Sequence, residues 1–161
     1  MERLILDTTI LIASDRGARV LDSVIGDEDD VAIAAITAAE LLVGVELADR
    51  RTRASRTAFV EDVLSTIPVI EYELPTARVH ARLLATTRRA GKPRGAHDLI
   101  IAATAIQTGR QIVTADDRGF ADLPDVVVRS AASSSRGGRI AQDQLSGRPG
   151  PVRPGQGEGE G

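Results

Sequence analysis

Four acidic residues stand where predicted strands of this chain meet the helices that follow them. Asp7 closes the first strand, Glu40 lies in the first turn of the helix after the second, Asp98 opens a late apolar helix, and Asp116 follows the fourth strand. Carboxylate oxygens are the ligands that hard cations such as Mg²⁺ and Mn²⁺ prefer. Acids gathered at one place could therefore hold such an ion and support metal-assisted hydrolysis.

The composition excludes most other kinds of site. The 161 residues include no cysteine, which excludes disulfide scaffolds, thiolate metal sites and cysteine nucleophiles. His80 and His97 are the two histidines, too few for a three-histidine metal centre. Aromatic residues make up 2% of the chain, which excludes an aromatic platform for stacking bases. The net charge of −3 argues against a protein that coats nucleic acid with general positive charge.

Each of the four acids also has a purely structural explanation. Asp7 and Asp116 can cap the helices that they precede, and Asp98 is favoured in a first helical turn by the helix dipole. The segment from Thr37 to Glu40 fits a capping box, in which Glu40 reaches back to the Thr37 amide. Capping is the better explanation for each acid alone. Four independent caps need not share one edge of a sheet, so the joint pattern favours a common site.

Hydrophobic periodicity predicts the elements that position these acids. Strands alternate with helices, which predicts an α/β fold: a three-layer α/β/α sandwich with a mainly parallel sheet of about five strands. Right-handed crossovers then place every strand-to-helix junction at one edge of the sheet, where ligands bind in open α/β folds. The predicted strands are 3–7, 31–35, 69–72, 111–114 and 126–128; the predicted helices are 9–25 with a break near 15–17, 37–48, 51–66, 75–91 and 98–108.

A change of composition divides the chain into a folded domain, 1–130, and a tail, 131–161. The tail holds eight of the 15 glycines and three of the seven prolines, and it has almost no large apolar residue. Such a segment buries too little surface to offset its ordering entropy, which predicts a disordered tail. The chain shows neither an apolar run of membrane-spanning length nor a basic-then-apolar leader, so we expect a cytoplasmic protein that does not enter a membrane.

Four stretches occur in an order that carries a resemblance. They are Leu-Asp-Thr-Thr-Ile-Leu-Ile (6–12), Ala-Glu-Leu-Leu-Val-Gly (39–44), Ala-His-Asp-Leu-Ile-Ile-Ala-Ala-Thr-Ala (96–105) and Val-Thr-Ala-Asp-Asp-Arg-Gly-Phe (113–120). Together they resemble the PIN-domain proteins of the VapC type, toxins of bacterial type II toxin–antitoxin pairs. The chain departs from that pattern at Gly119, where many relatives carry an acid.

The resemblance implies a Mg²⁺- or Mn²⁺-dependent endoribonuclease that forms a homodimer and is neutralised by a small VapB-type antitoxin. It implies that Asp7, Glu40, Asp98 and Asp116 form the catalytic quartet. We expect Asp7, Asp98 and Asp116 to contact the metal, and Glu40 either to join them or to orient the attacking water. Asp117 is an alternative to Asp116.

Two threonines and one histidine lie beside these acids in the sequence. Thr8 and Thr114 are candidates to hydrogen-bond the carboxylates from outside the metal's coordination shell, and the alternative is that one of them only caps a helix. His97 is expected to be structural or to contact the edge of the substrate, not to bind metal.

Basic residues close to the acids in sequence are candidates for contacts to RNA phosphates. The expected contacts are Arg88, Arg89, Lys92, Arg94 and Arg118. Arg88 and Arg89 fit a solvated helix C-terminus equally well. A second cluster could meet either RNA or an acidic segment of the antitoxin; it comprises Arg50, Arg51, Arg53 and Arg56.

Other functions fit the sequence less well. A phosphatase of the haloacid-dehalogenase type needs a second aspartate two residues after the first, where this chain has Thr9. A receiver-type signalling domain needs a lysine near the last strand, whereas Lys92 precedes the late helix. A catalytically inactive binding or regulatory module and a housekeeping RNA-processing nuclease are the remaining alternatives.

Overall fold

A computed structural model describes residues 1–16 and 20–131 of the chain. Its strands are β1 (Arg3–Leu6), β2 (Asp30–Ala34), β3 (Val69–Ile70), β4 (Gln111–Thr114) and β5 (Val128–Ser130). Its α-helices are α1 (Thr8–Asp15), α2 (Val20–Val24), α3 (Ala35–Glu46), α4 (Arg53–Thr66), α5 (Leu74–Arg89) and α6 (Ala96–Thr108). The predicted tail lies outside the described residues apart from Ala131, so its disorder stays a prediction.

The five strands form one parallel sheet in the order β3-β2-β1-β4-β5. The chain runs outward from β1 through β2 to β3 and then crosses to the other side of β1 to form β4 and β5. The direction of winding therefore reverses between β1 and β4, which makes their carboxyl ends the position favoured for a ligand site. The predicted α/β sandwich with a mainly parallel sheet is confirmed.

Alternate residues of the central strands supply two separate hydrophobic cores. Ile5 and Ile112 pack on one face of the sheet with residues of α5 and α6. Leu4, Leu6 and Val113 pack on the other face with residues of α1, α2, α3 and α4. All five of these side chains are fully buried. A parallel sheet covered on both faces is expected to have such continuously apolar strands.

The start of α3 corrects one sequence prediction. The helix begins at Ala35, with Ala34 as its N-cap and no side-chain capping bond. Thr37 therefore lies inside the helix, and the predicted capping box is wrong. The local pattern was misleading because β2 leads directly into α3, so the first turn lies two residues earlier. Glu40 consequently occupies the second helical turn, from which its side chain is free to reach the sheet edge.

The fifth strand is also displaced from its prediction. The apolar run 126–128 predicted the strand, but the paired residues are Val128–Ser130, with Val128 opposite Ile112. Val126 packs against the first core, whereas Val127 is 57% exposed. The apolar run begins at Val126, which packs against the core, but backbone pairing with β4 begins only at Val128. A hydrophobic pattern indicates which residues are buried and does not show where strand pairing begins.

In the part of the chain that the structure describes, no helix is both long enough and apolar enough to cross a bilayer.

Candidate active site

A pocket of about 620 Å³ opens at the carboxyl edge of the sheet, and all four predicted acids line it. Asp7 and Asp116 follow β1 and β4, which are neighbours in the sheet. Glu40 is presented by α3, and Asp98 by the first turn of α6. The structure thus brings together four residues separated by up to 109 positions (116 − 7) in the chain. Apolar side chains complete the walls; among them are Ile12, Ile36 and Val43.

Asp7 serves both as a helix cap and as part of the pocket. Its Oδ1 accepts a 2.7 Å hydrogen bond from the Thr8 amide at the start of α1. Its Oδ2 accepts hydroxyl hydrogen bonds from Thr9, at 2.6 Å, and from Thr114, at 2.9 Å. The residue is only 5% exposed, so these three bonds fix the orientation of its carboxylate. The capping and site explanations of Asp7 therefore apply together.

Thr9 belongs to this network although the sequence analysis did not predict it. Its hydroxyl contacts Asp7 and Thr114 and also accepts a 3.1 Å bond from the Ala115 amide. It therefore ties the end of β4 to the start of α1. The sequence did contain a signal for this contact. Asp7 was a candidate N-cap for the helix that follows it, and the hydroxyl of a threonine in the first turn can hydrogen-bond the side chain of the N-cap residue.

Glu40 is held by two partners from different elements. Thr8 donates a short hydrogen bond to its Oε2, and His97 contacts its Oε1 through Nδ1 at 2.5 Å. Each of the two threonines therefore hydrogen-bonds a different acid: Thr8 donates to Glu40, and Thr114 donates to Asp7. His97 contacts a carboxylate in this structure, which is consistent with a structural role.

Asp98 differs from the other acids because no hydrogen-bond donor among the described residues reaches its carboxylate. Burial raises the pKa of this carboxyl above its ordinary value, and the negative charges of Asp7 and Glu40 raise it further. Its carboxylate lies between two residues without side chains. A Cβ built on Gly95 would lie 2.8 Å from Oδ2, and one on Gly119 would lie 2.5 Å from the same atom.

Asp116 is paired with its near neighbour Arg118. The Arg118 Nε lies 2.7 Å from Oδ1, a second guanidinium nitrogen contacts Oδ2, and the Arg118 amide donates to Oδ1 at 3.2 Å. These hydrogen bonds lower the pKa of the Asp116 carboxyl to about 2. Asp116 therefore remains ionised across the physiological pH range, as a metal ligand must.

The donor set fits a hard divalent cation, although its side chains are not arranged around one point. Among the described residues, no three histidine or acidic side chains are placed to hold a single ion. Glu40 is turned toward Thr8 and His97, and Asp116 toward Arg118. Asp98 carries no such contact, so it is the acid most available to an ion. Oxygen donors in this number suit Mg²⁺ or Mn²⁺, which keep several water ligands.

The basic residues expected around the site fall into two groups. Arg88 and Arg89 are exposed in the last turn of α5. The Lys92 Nζ lies 3.7 Å from Oδ2 of Asp122, and Arg94 donates a 2.7 Å hydrogen bond to the Ala121 carbonyl. These two residues connect the loop before α6 to the loop after β4, so they help to hold Asp98 near Asp116.

The second arginine cluster is partly used within the fold. Arg53 donates to the Glu46 carbonyl at 2.6 Å, and Arg56 donates to the Gly44 carbonyl at 3.2 Å. Both bonds link α4 to the C-terminal part of α3. The other two arginines of the cluster, Arg50 and Arg51, precede α4 on an exposed segment.

Comparisons with known proteins identify the family to which this geometry belongs. The PIN domain family model matches residues 4–126, most of the chain. The chain belongs to the PIN-domain family. A Ribonuclease VapC of Rickettsia bellii is 32% identical over 126 residues, which cover 78% of this chain and 93% of the relative. Ribonuclease VapC5 of Mycobacterium tuberculosis is 36% identical over 116 residues, covering 70% and 82% of the two chains.

A solved structure agrees with these sequence relatives. The VapBC-5 toxin–antitoxin structure from Mycobacterium tuberculosis includes a chain that is 31% identical, with a TM-score of 0.69. The match covers 81% of this chain and 99% of that one. The resemblance to PIN domains of the VapC type is thereby confirmed.

The raised pKa of Asp98 makes the metal-free PIN domain dependent on pH. The pKa of Asp98 is higher in the folded chain than its ordinary value of 3.8. As the pH rises from below 3.8 to above the folded-state pKa, the fold loses stability, because the unfolded chain releases the proton more readily. We expect Asp98→Asn to unfold at a higher temperature than the wild type at pH 7 in EDTA. The difference should shrink as the pH falls and disappear well below the ordinary pKa of 3.8, where Asp98 is protonated in both the folded and the unfolded states.

Thermal unfolding at a series of pH values from neutral to well below the ordinary pKa of 3.8 measures this effect. Asp62→Asn removes an equal charge from an exposed position on α4 and serves as the control. A wild type as stable as Asp98→Asn at pH 7 would show that the pocket places no electrostatic cost on Asp98.

Gly119 of the PIN domain is expected to control the position of the Asp98 carboxylate. In Gly119→Ala the new Cβ would lie 2.5 Å from Oδ2 and 2.7 Å from Cγ of Asp98, which is too close, so the carboxylate must move. Since a flexible side chain can yield, we expect little change in stability but a roughly tenfold loss of Mn²⁺ affinity, about 1.4 kcal/mol. Isothermal titration with Mn²⁺ measures the loss.

Gly44→Ala is the matched control for this substitution. A Cβ at Gly44 would meet only Arg56, at an ordinary distance of 3.7 Å. Its Mn²⁺ affinity should equal that of the wild type, and equal affinities in both alanine variants would contradict the assigned role of Gly119.

Proposed function

We propose that this chain is a divalent-metal-dependent endoribonuclease and the toxin component of a toxin–antitoxin pair. Its assignment as a nuclease follows from its family, whose curated relatives include proteins named ribonucleases of the VapC type. The observation that carries the metal-dependent mechanism is the Asp98 carboxylate. It faces a pocket lined by three other acids and has no donor among the described residues.

The proposed ligands are Asp7, Asp98 and Asp116, and the metal would be Mg²⁺ or Mn²⁺. When bound, such an ion lowers the pKa of water and neutralises charge on a phosphate. Asp7 would hold its ligand oxygen in place through its threonine partners. Glu40, fixed by Thr8 and His97, would accept a hydrogen bond from the attacking water and so orient it toward phosphorus.

The proposed phosphate contacts are Arg88, Arg89, Lys92, Arg94 and Arg118. Exposed guanidinium groups near an acidic pocket would offset the repulsion between the carboxylates and the RNA backbone. Arg94 and Lys92 would act partly through the loop contacts described above. Arg88 and Arg89 have their charged groups on the surface and would contact phosphates further along the strand.

The test of this function is cleavage of a single-stranded RNA by the purified protein with Mg²⁺ or Mn²⁺. EDTA should abolish cleavage and added metal should restore it. Because the proposed nucleophile is water, cleavage should persist when the 2′-hydroxyl at the scissile position is replaced by hydrogen. Metal-independent cleavage that requires the 2′-hydroxyl would indicate a contaminating ribonuclease, and no cleavage of any RNA would favour the inactive binding module.

Metal binding should also be visible without catalysis. At an Mn²⁺ concentration about 100 times Kd, binding is expected to stabilise the fold by about 2.7 kcal/mol. The melting temperature of the wild type should therefore rise more than that of Asp98→Asn. Equal shifts in the two proteins would contradict the assignment of Asp98 as a ligand.

We further propose that the protein acts in the cytoplasm as a homodimer and pairs with a small VapB-type antitoxin. One solved structural relative is a member of the VapBC family of toxin–antitoxin systems. Ile12 and Val43 leave apolar surface at the pocket, and Leu42 of α3 and Leu47, the C-cap residue of α3, are also exposed. Exposed apolar area next to an acidic pocket suits a partner that covers both. Copurification with the product of an adjacent small reading frame would support the toxin assignment over a housekeeping nuclease.

A further inference from the structure

Arg118 occupies both carboxylate oxygens of Asp116, the residue proposed as a metal ligand. The guanidinium approaches Oδ1 through Nε at 2.7 Å and Oδ2 through a second nitrogen. This is the two-point geometry in which arginine binds carboxylates best. Arg118 makes three hydrogen bonds to this carboxylate, two from its guanidinium and one from its amide. A carboxylate has about four lone-pair positions, so a metal ion would share oxygens with the guanidinium, and its positive charge would repel that group. Arg118 and a metal ion therefore compete for Asp116.

The pair is also easy to separate. The Arg118 side chain is 87% exposed, and that of Asp116 is 38% exposed. Exposed ion pairs contribute little net stability because water replaces both partners readily. No other acceptor among the described residues holds the Arg118 guanidinium. An arriving divalent ion can therefore displace it at small cost.

Once displaced, the guanidinium stays close to the site. Arg118 belongs to the short 3₁₀ turn Asp117–Gly119, and the adjacent Gly119 lines the pocket beside Asp98. The anion expected at this place during the reaction is a phosphate of the RNA, and a free guanidinium binds phosphate with two parallel hydrogen bonds. The same side chain can thus serve one partner before metal binding and another after it.

We propose that Arg118 is a positioning residue that competes with the metal for Asp116 and is transferred to an RNA phosphate when the metal binds. The inference rests on the metal-dependent RNA cleavage proposed above. It means that metal and RNA assist each other: metal releases the arginine for RNA, and RNA holds the arginine away from Asp116. Without RNA, the Arg118 guanidinium stays paired with the ionised Asp116 carboxylate and weakens metal binding there.

Two measurements on Arg118→Gln should change in opposite directions. Calorimetric titration with Mn²⁺ in the absence of RNA should show binding about three- to tenfold tighter than in the wild type, because the competitor is gone. Steady-state cleavage at saturating Mn²⁺ should show a KM for RNA about fivefold higher, because a phosphate contact is lost, with a smaller change in kcat. Arg118→Lys keeps the charge without the two-point geometry and should fall between the two proteins in both measurements.

Arg82→Gln is the matched control, since Arg82 is exposed on α5 outside the proposed site. Equal tightening of Mn²⁺ binding in Arg82→Gln would mean that any lost positive charge has this effect, and would overturn the proposal. Unchanged or weaker Mn²⁺ binding in Arg118→Gln would overturn it as well. Failure of the metal site itself gives a different result, in which the wild type and Asp98→Asn bind Mn²⁺ equally or not at all.

Discussion

Asp98→Asn is expected to lose metal-dependent RNA cleavage by at least about 100-fold. Loss of partners outside a metal's coordination shell already lowers affinity or activity by about 10–100-fold, so loss of a direct ligand should cost more. We expect the loss of cleavage to be largest at Asp98, because its carboxylate has no hydrogen-bond donor among the described residues and is the most available to a metal ion. The carboxylates of the other three acids are hydrogen-bonded to protein groups. A 100-fold loss corresponds to about 2.7 kcal/mol of transition-state stabilisation.

The measurement is the rate of cleavage of one defined RNA at saturating Mg²⁺, with folding checked by thermal unfolding. Asp62→Asn controls for the lost charge. Asp117→Asn controls for position, because Asp117 is the alternative to Asp116 beside the same pocket. Both controls should cleave at close to the wild-type rate. Full activity in Asp98→Asn would remove the central residue of the proposed mechanism, whereas a large loss in Asp117→Asn would transfer the ligand assignment from Asp116 to Asp117.

Ile112→Ala is expected to have the largest effect on folding, a loss of about 3 kcal/mol in the free energy of unfolding. Ile112 is fully buried in β4 between β1 and β5 and packs on the face covered by α5 and α6. Truncation of a large buried aliphatic side chain to alanine costs about 2–5 kcal/mol, since the transfer free energy is lost and a cavity remains. Tight packing on both sides of the strand leaves little room for collapse.

Urea denaturation measures this loss as a lower midpoint with an unchanged slope. Val127→Ala is the control, because Val127 is 57% exposed just before β5. Its stability should stay within about 0.5 kcal/mol of the wild type. Equal effects from both substitutions would show that the sheet core is much more tolerant than its burial implies.

Asp98→Asn and Ile112→Ala distinguish the residues needed for cleavage from the residues needed for folding. Asp98→Asn is expected to lower cleavage by at least about 100-fold and to raise metal-free stability at neutral pH, whereas Ile112→Ala lowers stability without changing the acids. The opposite signs arise because burial, and then the negative charges of Asp7 and Glu40, raise the pKa of Asp98 and so make its ionised form destabilise the metal-free fold.

Much of the fold was readable from local sequence. Four-residue β4 was predicted with its bounds, and the alternation of strands and helices gave the parallel sheet, because a chain must cross over a sheet face to return in the same direction. The errors lie at boundaries. The start of α3 and the position of β5 depend on where backbone pairing begins, and neither apolar character nor capping residues report that directly.

The grouping of the four acids in one pocket was predicted from sequence by assigning each to a strand-to-helix junction. That reason is wrong for Asp98, because α6 follows α5 with no strand between them. The individual surroundings of the acids did not follow from sequence. Glu40 meets His97 across 57 positions of sequence, and Thr114 meets Asp7 across 107. Such contacts depend on the packing of α3 against α6 and of β4 against β1, for which a single sequence carries no local signal.

The sequence by itself therefore determined the residue types available for chemistry: oxygen ligands, no thiol, two histidines, and two acids, Asp7 and Asp116, that follow predicted strands. Only the tertiary structure decided which of the four acids is free. Asp98 lies between two glycines and has no hydrogen-bond donor among the residues that the structure describes, while Asp116 is paired with Arg118. The physical reason is that composition and spacing fix the number of charges and the edge at which they meet, whereas the partner of each charge depends on distances of a few ångströms that only packing sets.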